Sequence, residues 1–133
     1  NATELKPFIQ VTDIRGTGAG WNVIAKATPF SDGTSDSLKG STISFIGGYA
    51  LSANTSADKP TPSSPVVLTT DNAEATVLVA AENSGLGTWV DRWYPTETTA
   101  TSNDNVTLIV PAGTATAKTH TSTITWTLAD API

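Results

Sequence analysis

An all-β domain, a sandwich or barrel-like arrangement of about eight short, mainly antiparallel strands, is the fold this chain of 133 residues predicts. Threonine and serine dominate the composition, and threonine's branched Cβ fits a pleated surface better than a helix. Short apolar stretches with period two recur along the chain, separated by Gly, Pro, Asn and Asp turn chemistry. No 3.6-residue apolar period persists; the closest contender, "DNAEATVLVAAE", has consecutive Val77, Leu78 and Val79 that favour a strand.

In order, the first strand is expected in "PFIQVTDI" (Pro7 to Ile14), broken by the Gly-rich "RGTGAG", a turn that needs positive φ. In "GWNVIAKA" Trp21, Val23 and Ala25 share one face and Asn22, Ile24 and Lys26 the other. "STISFIGGYALS" follows, with a Gly47-Gly48 pair placed to kink or bulge it. Ser52 to Pro65 carries three prolines and no periodicity, and is expected to be a loop. Further strands are expected at Val66 to Thr70, Ala75 to Glu82, Gly87 to Tyr94, Val106 to Val110 and His120 to Ala129; polar Pro95 to Asn105 is a second long loop. The last strand alternates most cleanly, with Thr121, Thr123, Thr125 and Thr127 facing solvent and Ser122, Ile124, Trp126 and Leu128 facing a core or partner.

The length suits a single domain over residues 1–133, large enough to hide roughly two thirds of its unfolded surface. Net charge is −5, and the 7 Lys and Arg are scattered singly, which argues against nucleic acid and against docking on an anionic bilayer. No apolar run approaches the roughly 18 residues that cross a membrane, so no membrane insertion is expected. No signal-peptide pattern opens the chain at Asn1, so the expectation is a mature segment or one excised from a longer chain. Cysteine is absent, which is compatible with any redox compartment.

Residues with the spacing of catalytic chemistry are sparse. His120 is the single histidine, no Gly-x-Ser-x-Gly elbow presents a serine, and no Cys or clustered carboxylate supports zinc. "SDGTSDS" and "TSNDN" lack the ligand order of a calcium loop and read as turns. Glu74, Glu82, Asp91 and Glu97 offer no pair that spacing selects for glycoside hydrolysis. The Asn-x-Ser/Thr triplets at Asn1, Asn54 and Asn105 are expected by chance in so threonine-rich a chain. No enzyme, no cofactor and no metal site is expected.

Tryptophan is the distinctive residue, with 4 in a chain only 7% aromatic. Trp21 and Trp126 each lie on an alternating dry face, which favours packing between sheets. Trp89 and Trp93 share a strand face with Asp91, which implies a partly wet surface, and that face is the one the residues point to for recognition.

Trp21-Asn22-Val23 and Trp126-Thr127-Leu128, with their neighbours, resemble the WxL domain, a C-terminal module of surface proteins in low-GC Gram-positive bacteria. The resemblance covers nearly the whole chain: "VTDIRGTGAGWNV" is similar to the first signature region, "ATPF" and "LKGSTISF" to the segment after it, "GLGTW" to the middle, and "VTLIVPAGTATAKTHTSTITWTLADAP" to the second signature and its approach. One departure is Val23, where the family name requires leucine; it keeps an apolar group but with shorter reach. The resemblance implies a secreted, extracellular module at the cell surface. It would anchor its parent protein to the cell wall by non-covalent peptidoglycan binding, or assemble with a WxL-interacting (DUF916-type) surface protein. The expected binding residues are Trp21, Val23, Trp89, Trp93, Trp126 and Leu128, with Arg15 and Asp130 as hydrogen-bonding neighbours. The strands carrying Trp21 and Trp126 would pair or lie adjacent in one sheet, placing both signatures in one patch.

Overall fold

The computed structural model describes residues 6–52, 57–94 and 104–132. Twelve strands are found there: β1 (Phe8–Asp13), β2 (Trp21–Ala27), β3 (Phe30–Ser31), β4 (Asp36–Ser37), β5 (Thr42–Phe45), β6 (Tyr49–Leu51), β7 (Thr61–Pro62), β8 (Val66–Thr69), β9 (Ala75–Ala80), β10 (Gly87–Arg92), β11 (Val106–Ile109) and β12 (Ile124–Ala129). They pair antiparallel in sheets of order β12-β2-β9-β7, β1-β10-β6, β11-β5-β8 and a β3-β4 ribbon. The domain is all-β and sandwich-like, and among the described residues no sheet closes into a barrel.

Each expected strand is present, with instructive differences. The stretch from Ser41 to Ser52 divides at Gly47-Gly48 into β5 and β6, which belong to different sheets. Gly47 takes a positive φ at this break, and a Cβ on Gly48 would stand 3.0 Å from Asp91 Oδ1 and 3.0 Å from Trp93 Nε1, so a larger residue would have to displace those side chains. The proline-rich stretch from 52 to 65, expected as a loop, contains β7 at Thr61–Pro62, an edge strand where proline's missing N–H costs no ladder bond. The expected features at Asn54, and the loop over 95–105 apart from Asp104 and Asn105, lie outside the described residues. β12 begins at Ile124, not His120; the histidine precedes it, with Nδ1 2.8 Å from Ser37 Oγ, and ties that approach to the β3-β4 ribbon. Gly16, Gly18 and Gly20 all adopt positive φ, as the "RGTGAG" turn requires.

The core joins the three larger sheets. Trp21, Val23, Ala25 and Ala27 project from β2 into it, with Val66 and Leu68 from β8 and Trp89 from β10. On β9 both Val77 and Leu78 are completely buried although they are consecutive. A bulge opposite Val23 and Ile24 makes this feasible, since the extra residue escapes the alternation. Two buried indoles are satisfied locally: Trp21 Nε1 donates to the Gly85 carbonyl at 3.1 Å, and Trp89 Nε1 to that of Leu86 at 2.9 Å. Gly85 itself cannot carry a Cβ, which would lie 2.8 Å from Trp21 Nε1.

The partly wet face expected for Trp89, Asp91 and Trp93 is corrected. All three are buried, Asp91 at 0% exposure. β10 is the middle strand of its sheet, so its inward row is covered on both sides and the carboxylate is carried into the core with its neighbours. Neither Asp91 oxygen has a hydrogen-bond partner among the described residues. Burial raises its pKa to about 7, opposed by the nearby backbone N–H of Tyr49.

Two predictions follow from this core. Trp21→Ala should destabilise the domain by about 3–5 kcal/mol and Trp126→Ala by no more than about 2, measured by urea denaturation, because only the first leaves an enclosed cavity. Asp91 binds its proton more tightly folded than unfolded, so its contribution is complete below about pH 4 and is lost as pH rises toward about 7. A loss of up to about 4 kcal/mol across that window is expected for the wild type and should vanish in Asp91→Asn, as denaturation midpoints at pH 4.5 and pH 8 would show.

Candidate binding cleft

β1 and β12 are edge strands of different sheets, and a cavity of about 250 Å³ opens beside them. Its walls are Val11, Asp13 and Arg15 on one side and Leu128, Ala129 and Asp130 on the other, and Trp21 also lines it. The strands bearing both signatures are neighbours: β2 and β12 pair antiparallel with Val23 opposite Leu128 and Ala25 opposite Trp126. Directly opposed residues point to the same face of a sheet, so Trp126 and Leu128 look inward like Val23 and Ala25.

Their burial nevertheless differs. Trp21 and Val23 lie on an interior strand, whereas β12 is the margin of its sheet, leaving Trp126 40% and Leu128 57% exposed. The expectation that Trp126 packs between the sheets is thus corrected to a half-exposed place at the rim, and Leu128 beside it is also open, because no strand covers their far side among those described. Trp126 still touches the core at its rim: its ring centroid is 6.1 Å from that of Phe45 and 6.2 Å from that of Trp93. The result is a half-exposed indole resting on two buried rings, apolar in body and open on one side.

Arg15 closes one end of the cleft. Its Nε donates to Asp13 Oδ1 at 2.9 Å, Nη2 to Asp13 Oδ2 at 2.8 Å and to the Gly20 carbonyl at 2.9 Å, and Nη1 to the Asp130 carbonyl at 3.2 Å. Four of the five guanidinium N–H groups are thereby engaged, so Arg15 fastens the ends of β1, β2 and β12 together and retains one donor for anything outside. Asp13 is buried, and its hydrogen bonds from Arg15 hold its carboxyl below the usual carboxylate range. Asn22, the middle residue of the first signature, donates from Nδ2 to the Ala131 carbonyl at 2.6 Å and pins the chain after β12.

Of the eight residues expected to bind, Arg15, Trp21, Leu128 and Asp130 line this cleft. Trp126 lies two residues along β12 from Leu128, Val23 is buried across the ladder from it, and Trp89 and Trp93 are enclosed in the core. Asp13 and Asn22 were not anticipated. The Asp13-x-Arg15 spacing, an acid at the end of the first strand and a base in the turn after it, was the available signal for the first, and a lone amide in an apolar central strand for the second. Chemically the site is an apolar trough with a neutralised ion pair at one end. Asp13 is held ionised by Arg15, which suits neither a general acid nor a free nucleophile. Among the described residues no group of His, Cys, Asp and Glu is placed to hold a metal, and no helix is long and apolar enough to cross a membrane.

An all-β module with a trough between two sheet edges, bearing aromatic and aliphatic groups from opposite ends of the chain, belongs to the class of binding domains. The chain is a member of the WxL domain family, described as a surface cell wall-binding domain, whose family profile matches residues 1–132. Membership makes it a cell-surface, cell-wall-binding module. Neither a search of curated proteins nor a search of solved structures returned a match.

The Asp13–Arg15 clasp generates its own prediction. Asp13→Asn should lower stability at neutral pH by about 1–2 kcal/mol, toward the low end because Arg15 is partly solvated. Because the folded-state pKa of Asp13 is depressed, its contribution is present above the ordinary value of 3.8 and is lost as pH falls below it. The difference between wild type and variant should therefore narrow between about pH 4 and pH 2, as paired thermal melts would reveal.

Proposed function

We propose that the domain holds its parent protein on the Gram-positive cell wall by non-covalent, non-catalytic binding of peptidoglycan, and that the β1/β12 trough is the contact surface. The observation that carries this reading is the meeting of both signatures at one open edge: Trp126 and Leu128 are exposed, and the chain beyond them is clamped by Arg15 and Asn22. An indole supported from below by buried rings and open on one face can stack on the apolar face of a sugar. Asp130 and the remaining Arg15 donor supply polar contacts at the end of the trough. In this reading Trp21 forms the floor of the trough, while Val23, Trp89 and Trp93 shape the surface from within and do not touch the ligand.

A second reading is favoured by one specific feature. Among the described residues the outer edge of β12 is unpaired, and a strand of a WxL-interacting surface protein could extend the sheet there by backbone hydrogen bonds.

Co-sedimentation with purified sacculi, stripped of protein and secondary polymers, tests the first reading. The wild type is expected to pellet, and Trp126→Ala/Leu128→Ala to remain in the supernatant with its fold intact by circular dichroism. A wild type that stays soluble would remove direct peptidoglycan binding and leave the partner strand as the explanation.

A further inference from the structure

The outward face of the β1-β10-β6 sheet carries a feature that neither the signatures nor the trough uses. Across the three strands Phe8 lies opposite Arg92, and Arg92 opposite Tyr49, so the three side chains form one row on the face away from Asp91. Phe8 is 57% and Tyr49 49% exposed. The Arg92 Cζ lies 5.5 Å from the Tyr49 ring centroid and 5.2 Å from that of Tyr94, and Lys59 Nζ is 5.1 Å from the Tyr49 centroid.

Two cations are thus interleaved with tyrosines on a chain whose net charge is −5. Lys59 and Arg92 are oriented by ring contacts, and Arg92 Nε is buried without a hydrogen-bond partner among the described residues. Ring contacts align a guanidinium but do not neutralise it, so the charge stays available to an anion. The flat exposed rings beside it offer the surface on which a pyranose or other sugar face stacks. A purely apolar partner would have to desolvate both cations without compensation, and a cationic one would be repelled.

We propose that this sheet face is a second site, for an anionic saccharide polymer: Phe8, Tyr49 and Tyr94 take sugar or polyol carbons, and Arg92 and Lys59 take its carboxylate or phosphodiester groups. It rests on the wall-binding reading for its class of ligand, but on different residues and on charge in place of an apolar trough. The site lies on the sheet containing β1, whose inward row lines the trough, so one polymer-rich surface could engage both.

The test titrates the intact domain with two soluble probes, an oligouronate for the carboxylate source and a glycerol-phosphate oligomer for the phosphodiester source. Saturable binding to at least one is expected, weakened by added salt, and reduced about tenfold or more in Arg92→Gln/Lys59→Gln with an unchanged melting temperature. Tyr49→Leu, which keeps both charges, should weaken the same probe and guards against a folding defect in the double variant. Whichever probe binds identifies the source of the anion. Binding of neither probe by a domain that still pellets with stripped sacculi would overturn this site and leave the trough reading standing. Probe binding that depends on Arg92, by a domain that ignores stripped sacculi, would support this site and remove the trough reading.

Discussion

The antiparallel pairing of β2 with β12 is the constraint on which the rest of the structure depends. It joins residues about a hundred positions apart, setting Val23 against Leu128 and Ala25 against Trp126. Closing so long a loop is entropically costly, and the return comes from apolar cross-strand contacts and from the side-chain clamps that finish the strand. Arg15 and Asn22 are those clamps, each reaching a carbonyl just beyond β12. Without that register, the exposed indole would not rest on Phe45 and Trp93, and the trough beside β1 would lose a wall.

A buried carboxylate in the middle of β10 sets a second condition. An ionised Asp91 without a partner would carry a large desolvation cost, so the core tolerates it best as the neutral acid. Asp13 works in the opposite sense, being satisfied only while ionised and bound by Arg15. The two aspartates therefore place their joint optimum at about pH 4, where the contribution of Asp91 is still largely complete and that of Asp13 is not yet lost. Asp91 is fully enclosed, and its raised pKa follows from that burial.

Much of this architecture was legible in the sequence, and the parts that were not share a cause. Period-two alternation located the strands, and turn chemistry located the breaks, because both are local properties of the chain. The division at Gly47-Gly48 could be suspected from composition, but not that its halves join different sheets. Local pattern also failed for tryptophan. Asp91 between Trp89 and Trp93 suggested water, yet a middle strand buried all three, while the dry-looking row of β12 ended at an open edge. Alternation tells which residues share a face; only strand order tells whether anything covers it. The Arg15 clasp was hidden for a similar reason, since its partners come from three separate strand ends.

Strand order also accounts for the difference between the two signatures. Val23 sits between two cross-strand leucines, Leu128 on one side and Leu78 on the other, inside a buried row next to the β9 bulge. A β-branched residue of modest reach fits there, where close packing penalises added volume. Among the described residues no strand lies beyond Leu128 on the outer side of β12, so its longer side chain projects to the rim of the trough. The same Trp-x-aliphatic pattern thus performs two tasks. At its first occurrence it supplies the floor and core of the module, and at its second it supplies the surface that the core presents outward. The departure at Val23 from Trp-x-Leu falls on the copy whose role is internal, and the full Trp-x-Leu stands where the side chains meet the outside.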